Sequence, residues 1–108
     1  MLGAIPKAAE FFSVLSDNTR LRILISILDG EKSVSEIVEE VGISQSAISH
    51  QLRVLRQAGV VKYTKRGKYI LYTIDDYHVK NIVGQVFEHV AHKSLKINED
   101  ERGERNNG

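Results

Sequence analysis

The chain contains no cysteine. That absence excludes disulfides and, with them, every metal site built on thiolate ligands. No apolar run approaches the ~20 residues of a membrane span. The first apolar stretch is broken by Lys7 and Glu10, which leaves no signal-peptide core. A soluble, cytoplasmic protein is the expectation. Acid is missing from a long internal segment: from Val41 to Ile74 there is no Asp or Glu, while Arg53, Arg56, Lys62, Lys65, Arg66 and Lys68 supply six positive charges. Residues 1–40 carry seven acids against four bases. In a chain of 108 residues with a net charge of only +1, such a one-sign segment points to a polyanion partner. The length fits one small domain with a modest core. Internal repeats are absent, and so are a nucleophile motif and pocket-forming loops, so no enzyme is expected.

What is present is helix punctuation. The single proline, Pro6, suits a first helical turn, where its missing N–H would be unpaired anyway. That helix is expected to reach about Leu15, with Ala8, Phe11, Phe12 and Leu15 at helical spacing. Ser16-Asp17-Asn18 supplies the cap formers that end it and start a second helix, Thr19 to Leu28. Leu21, Leu24, Ile25 and Leu28 should face inward, and Asp29-Gly30 closes the helix. Ser33-Val34-Ser35-Glu36 matches a capping box. It opens a short helix, Val34 to Val41, that Gly42 ends in the left-handed conformation. Ser44 caps the next helix, Gln45 to Ala58, whose buried row is Ile48, Leu52 and Leu55. Two helices joined by a tight glycine turn make a helix-turn-helix.

The outward face of that last helix carries Gln45, Ser46, Ser49, His50 and Arg53, and no acid. Gln and Ser can pair with base edges, Arg with guanine or phosphate, and short serines let the backbone approach a groove floor. A helix facing only solvent would more often carry Glu–Lys pairs. Gly59 follows as the cap. Val60 to Thr64 and Tyr69 to Ile74 are β-prone runs around Lys65-Arg66-Gly67-Lys68, a hairpin signal. Three cations at its tip, Lys65, Arg66 and Lys68, make it a wing reaching for phosphate or the minor groove. The fold class expected is therefore mainly α with a β-hairpin wing, a winged helix-turn-helix over residues 1–94. Residues 95–108, without apolar periodicity, are expected to be a polar, disordered tail.

Residues 75–92 hold three of the four histidines and two adjacent carboxylates. Val79, Ile82, Val83, Val86 and Val90 fall on one helical face, with His78, His89 and His92 along its edge. Eleven residues separate His78 from His89, an axial gap of roughly 16 Å that no single ion spans. A shared metal would need two antiparallel copies of the helix, and the apolar stripe then reads as a subunit interface.

Three stretches together resemble the ArsR/SmtB family of dimeric winged-helix repressors: residues 16–24 (Ser-Asp-Asn-Thr-Arg-Leu-Arg-Ile-Leu), residues 43–52 (Ile-Ser-Gln-Ser-Ala-Ile-Ser-His-Gln-Leu) and residues 55–61 (Leu-Arg-Gln-Ala-Gly-Val-Val). The resemblance covers roughly residues 5–93. It implies a homodimer formed through the first and last helices and bound to double-stranded operator DNA, an imperfect inverted repeat. Gln45, Ser46, Ser49 and His50 would face the groove. The family's Cys-x-Cys metal site is not possible here, because Ser33 and Ser35 stand where thiols would be. Its other site uses Asp-x-His and His-x-x-His on the last helix, and Asp76, His78, His89 and His92 match that pattern. This implies a zinc and cobalt sensor of the CzrA type, with Zn(II) as effector and Co(II) its close mimic. Three imidazoles and a carboxylate suit tetrahedral Zn(II). Asp76 lies about 160° from His78 on a regular helix, so it can join only from the N-cap. The alternatives are that Asp76 is a cap alone, and that the chain is a repressor of this family that does not sense metal.

Overall fold

The computed structural model describes the backbone of residues 1–107 and the side chains of residues 1–93. After one 3-10 turn, α1 (Ile5–Leu15) carries Pro6 in its first turn. α2 (Asn18–Ile27) opens on Asp17, whose carboxylate accepts the Arg20 N–H at 3.0 Å. Two residues, Lys32–Ser33, form β1. α3 (Val34–Val41) opens on Ser33 with both reciprocal bonds of the capping box. Gly42 ends it at φ 78°, a value that strains any side chain. α4 (Gln45–Gln57) is capped by Ser44, whose Oγ accepts the Ala47 N–H at 3.2 Å. It stops in a Schellman turn: the Gly59 N–H donates to the Arg56 carbonyl at 3.0 Å and the Val60 N–H to the Leu55 carbonyl at 2.9 Å.

β2 (Val61–Arg66) and β3 (Tyr69–Ile74) join β1 in an antiparallel sheet of order β1-β3-β2. The winged helix-turn-helix is thus as expected, with two local differences. β1 is additional; two residues are too few to show alternation, and only their pairing with Tyr72 and Leu71 of β3 defines the strand. The hairpin turn is also shorter. Lys65 and Arg66 pair with Ile70 and Tyr69, so they belong to β2 and leave Gly67-Lys68 as a two-residue turn, with Gly67 at φ 62°.

One apolar cluster holds these elements together. It takes Ile23, Leu24 and Ile27 from α2, Ile37 and Val41 from α3, Ile48, Leu52 and Leu55 from α4, and Val60, Val61 and Ile74 around the sheet. Val79 and Val83 of α5 (Tyr77–Asn107) close it. Ile25 does not join: it is 46% exposed, and Ile23 and Ile27 are buried in its place. α2 packs on α3, α4 and β3 through the side carrying residues 23, 24 and 27; of the expected stripe Leu24 is buried and Leu28 rests on the core, while Ile25 turns away. α1 buries no residue fully; Phe11, Val14 and Leu15 rest on the edge of the core while Phe12 is exposed.

The α5 stripe divides in two. Val79 and Val83 belong to this chain's own core, whereas Ile82, Val86 and Val90 are exposed. Phe12, Leu15, Leu21, Ile82, Val86 and Phe87 line an apolar groove of about 190 Å³ between α1 and α5. The junction before α5 is stitched to α4 through one residue. Val60, fully buried, donates its N–H to Leu55 and accepts the Asp75 N–H on its carbonyl at 2.9 Å. The disordered tail expected over 95–108 falls on the continuation of α5, whose backbone is helical through Asn107; its side chains lie outside the described residues. Among the described residues no helix is long and apolar enough to cross a membrane.

Candidate nucleic-acid interface and metal centre

Burial of Ile48, Leu52 and Leu55 fixes the rotation of α4 and leaves Gln45, Ser46, Ser49, His50 and Arg53 exposed on the opposite side. Ser46 Oγ lies 3.3 Å from the capping Ser44 Oγ, so the two hydroxyls share a hydrogen bond. On the wing, strand alternation puts Tyr63 and Lys65 of β2 on the same sheet face as their partners Tyr72 and Ile70 of β3. That face meets Ser49, Arg53 and Arg56 of α4 across an open cleft of about 320 Å³. The Arg56 guanidinium sits 5.1 Å from the Tyr63 ring centroid, and the Tyr63 and Tyr72 rings are 5.9 Å apart. Among the described residues none of Arg53, Arg56 and Lys65 is in an ion pair. Three cations and two phenols around an acid-free cleft are donors suited to phosphate oxygens.

Arg56, Tyr63 and Tyr72 lie outside the set of DNA-facing residues that the sequence singles out. A signal for them exists: Arg56 lies one turn after Arg53, and a two-residue turn at Gly67-Lys68 makes Tyr63 and Tyr72 cross-strand partners. Of the three cations expected at the wing tip, Arg66 is placed differently from Lys65. Neighbouring strand residues face opposite sides, so Arg66 lies across the sheet from Lys65. Its Nε pairs with Glu31 Oε1 at 3.1 Å. Such an exposed pair is worth little. Lys68, at the turn, holds its ammonium 5.7 Å from the Tyr69 ring.

The second constellation lies along α5. Asp76 precedes the helix as its cap: Oδ1 accepts the Val79 N–H at 2.9 Å and the carbonyl accepts the Lys80 N–H at 3.1 Å. It therefore sits outside regular helical geometry, and Oδ1 lies 3.8 Å from His78 Nδ1. His78 is exposed, and its ring lies against that of Tyr77, centroids 4.6 Å apart and planes tilted by 41°. His89 and His92, with Gln85 and Glu88, line an open pocket of about 530 Å³. Glu88 is a carboxylate that the motif pattern passes over, although its place beside His89 is visible in the sequence. Among the described residues no three His, Asp or Glu side chains of one chain gather around a point. The structure thus brings the four residues together as two pairs, Asp76 with His78 and His89 with His92, and leaves the pairs apart. Asp76 and His78 offer one oxygen and one nitrogen donor and His89 and His92 two nitrogens, donor types that Zn(II) and Co(II) take.

Residues 17–63 match the family described as bacterial regulatory protein, arsR family. The chain is 40% identical over 89 residues to a transcriptional repressor SmtB homolog from Synechocystis sp., covering 82% of this chain and 67% of that one. It is 34% identical over 96 residues to the HTH-type transcriptional regulator NmtR from Mycobacterium tuberculosis, covering 89% and 80%. The solution structure of a homodimeric winged helix-turn-helix DNA-binding domain from Mycobacterium bovis superposes with a TM-score of 0.78 at 25% identity, covering 88% of this chain and 87% of that one.

Proposed function

This chain belongs to the arsR family of bacterial regulatory proteins, and from that premise we propose a metal-responsive repressor that binds operator DNA as a homodimer and leaves it when Zn(II) or Co(II) is held between the subunits. It is a DNA-binding transcriptional regulator and not an enzyme. One observation carries the metal reading. Two exposed ligand pairs stand roughly 16 Å apart on one helix, and neither pair completes a coordination shell. In an antiparallel pairing of α5, Asp76 and His78 of one protomer would complete a site with His89 and His92 of the partner subunit, giving two sites per dimer. The exposed apolar side chains Phe12, Ile82, Val86 and Val90 support pairing through α1 and α5.

On DNA, Gln45, Ser46, Ser49, His50 and Arg53 enter the major groove, and Lys65, Arg66 and Lys68 of the wing meet the backbone. The Arg53–Arg56–Lys65 cleft supports a phosphate held between helix and wing. The two recognition helices of a dimer would read half-sites of an imperfect inverted repeat about 34 Å apart. A bound ion supplies a fixed cross-link between the chains. The ligand pairs then favour one relative orientation of the subunits, and DNA favours another. Moving the population from 1:99 to 99:1 takes about 5.5 kcal/mol of differential affinity.

A repressor of the same family that ignores metal is favoured by one observation: Asp76 Oδ1 is already engaged as the helix cap. Operator titration with and without Zn(II), on wild type and His78→Ala, separates the two. Zinc is expected to weaken operator binding of the wild type about a hundredfold or more, within the range of such a population shift, and to leave His78→Ala little changed. If wild-type affinity is the same with zinc as without, metal sensing is removed and DNA binding alone stands.

A further inference from the structure

One side chain bridges α1, the helix proposed to face the partner subunit, and the DNA-reading helix α4 by hydrogen bonds. Arg20, near the start of α2, donates from Nε to Gln51 Oε1 at 2.8 Å and from Nη1 to the carbonyl of Val14 at 3.1 Å. Val14 is in the last turn of α1, among the carbonyls that have no partner within the helix. Gln51 is on the back of α4, about 160° around the helix from Arg53. Lys7, Glu10, Phe11 and Val14 of α1 and Gln57 and Ala58 at the end of α4 line an open cleft of about 370 Å³. Among the described residues no other side-chain hydrogen bond spans α1 and α4.

We propose that Arg20 is a positioning residue, a strut that sets the recognition helix relative to the end of α1 and so sets the spacing between the two recognition helices of the dimer. The chemistry suits a strut. A guanidinium is planar and presents its donors in a rigid fork, so two partners held by one fork keep a fixed separation. Both bonds are charge-assisted, which makes them roughly twice as strong as neutral ones, and a cation is favoured at a helix C-terminus. The backbone N–H of Arg20 is separately held by Asp17. Changing the side chain therefore leaves the start of α2 capped. This inference rests on the proposed pairing of subunits through α1 and α5. It does not require that the effector be a metal.

The test uses full-length protein and an operator selected for the wild type, alongside the same duplex with one base pair inserted or removed at its centre and a duplex holding a single half-site. The variants are Arg20→Met, which keeps the aliphatic stem and removes both donors, Gln51→Leu, Gln51→Glu and the double variant Arg20→Met/Gln51→Leu. Arg20→Met and Gln51→Leu should each lose about tenfold in zinc-free affinity for the intact operator, an effect of the size that coupling residues show. Half-site binding should stay within about twofold of wild type, and discrimination against the respaced duplexes should shrink. The double variant should be no worse than either single one, and Gln51→Glu should bind as wild type does. A loss of half-site affinity equal to the loss on the full operator, additive effects of the two substitutions, or unchanged spacing discrimination in a folded variant would each overturn the strut. Circular dichroism and melting confirm folding; should Arg20→Met fail to fold, Gln51→Leu decides alone. Adding Zn(II) to the same titrations keeps the metal reading separate, because its failure appears in the wild type while the zinc-free spacing data still judge Arg20.

Discussion

Asp76 carries two assignments, helix cap and metal ligand, and a pair of substitutions tells them apart. Its Oδ1 accepts the Val79 N–H at 2.9 Å and lies 3.8 Å from His78 Nδ1. Asn caps a helix as well as Asp does, and Ala does not; loss of such a cap costs about 1 kcal/mol. In a domain of this size that corresponds to a melting shift of about 4–8 °C. Asp76→Ala should therefore melt lower than wild type without metal, while Asp76→Asn stays within a few tenths of a kcal/mol, the difference being the lost charge at the helix N-terminus. Zinc is expected to reverse the similarity. At free zinc about a hundredfold above Kd, binding stabilises the wild type by about 2.7 kcal/mol per site. If the missing carboxylate weakens the site a hundredfold, the same zinc concentration leaves only about 0.4 kcal/mol. Thermal melts at fixed protein concentration, with and without zinc, read both effects. Should Asp76→Asn keep the full zinc-dependent rise and still release the operator, Asp76 is a cap and nothing more.

Three further outcomes follow from the geometry. Arg53→Gln or Arg56→Gln should each lower the slope of log affinity against log salt by about 0.9 for each phosphate no longer neutralised, roughly 1.8 per dimer; a fluorescence titration across salt concentrations checks this, and an unchanged slope would remove the phosphate cleft. Gly42→Ala meets no atom within 4 Å, so the cost is conformational and set by φ 78° alone; about 1–2 kcal/mol is expected in urea unfolding, with Gly42→Asn losing less. The Glu40 carboxylate is held below its ordinary value by the Lys32 ammonium, which donates at 2.7 Å, and by the Ser26 hydroxyl. A lowered native value adds stability above the unfolded value, and that stability is lost as pH falls through the native one. Urea midpoints from about pH 6 to 3 should therefore fall less steeply for Glu40→Gln than for wild type.

Most of the helical framework is legible because its signals act over four residues or fewer. Pro6, Asp17, the Ser33–Glu36 box, Gly42, Ser44 and Gly59 each decide a local backbone conformation, and the helix ends fall within a residue of where these place them. The features that are not legible depend on what packs against what. β1 exists only because β3 is beside it, and Ile25 is exposed because α3, α4 and β3 engage the other side of α2. The α5 stripe reads as one face, yet Val79 and Val83 serve this chain's core while Ile82, Val86 and Val90 do not. The same limit holds for the candidate sites. Residue type announces Asp76 as a cap, but its approach to His78, the capture of Arg66 by Glu31 and the seat of Arg56 on Tyr63 are products of tertiary placement.

Val60 binds the end of α4 to the residue next to Asp76 through two backbone hydrogen bonds, one from its N–H and one to its carbonyl. Neither bond involves a side chain, so no substitution in the recognition helix or in the ligand pair removes it. On the proposed reading, changes on the exposed face of α4 would alter the operator and changes at the start of α5 the effector, while this main-chain connection stays in place. Hydrogen exchange gives that statement a concrete form: the Val60 and Asp75 amides belong with the slowest in the protein, and a ligand at Asp76 should slow both further.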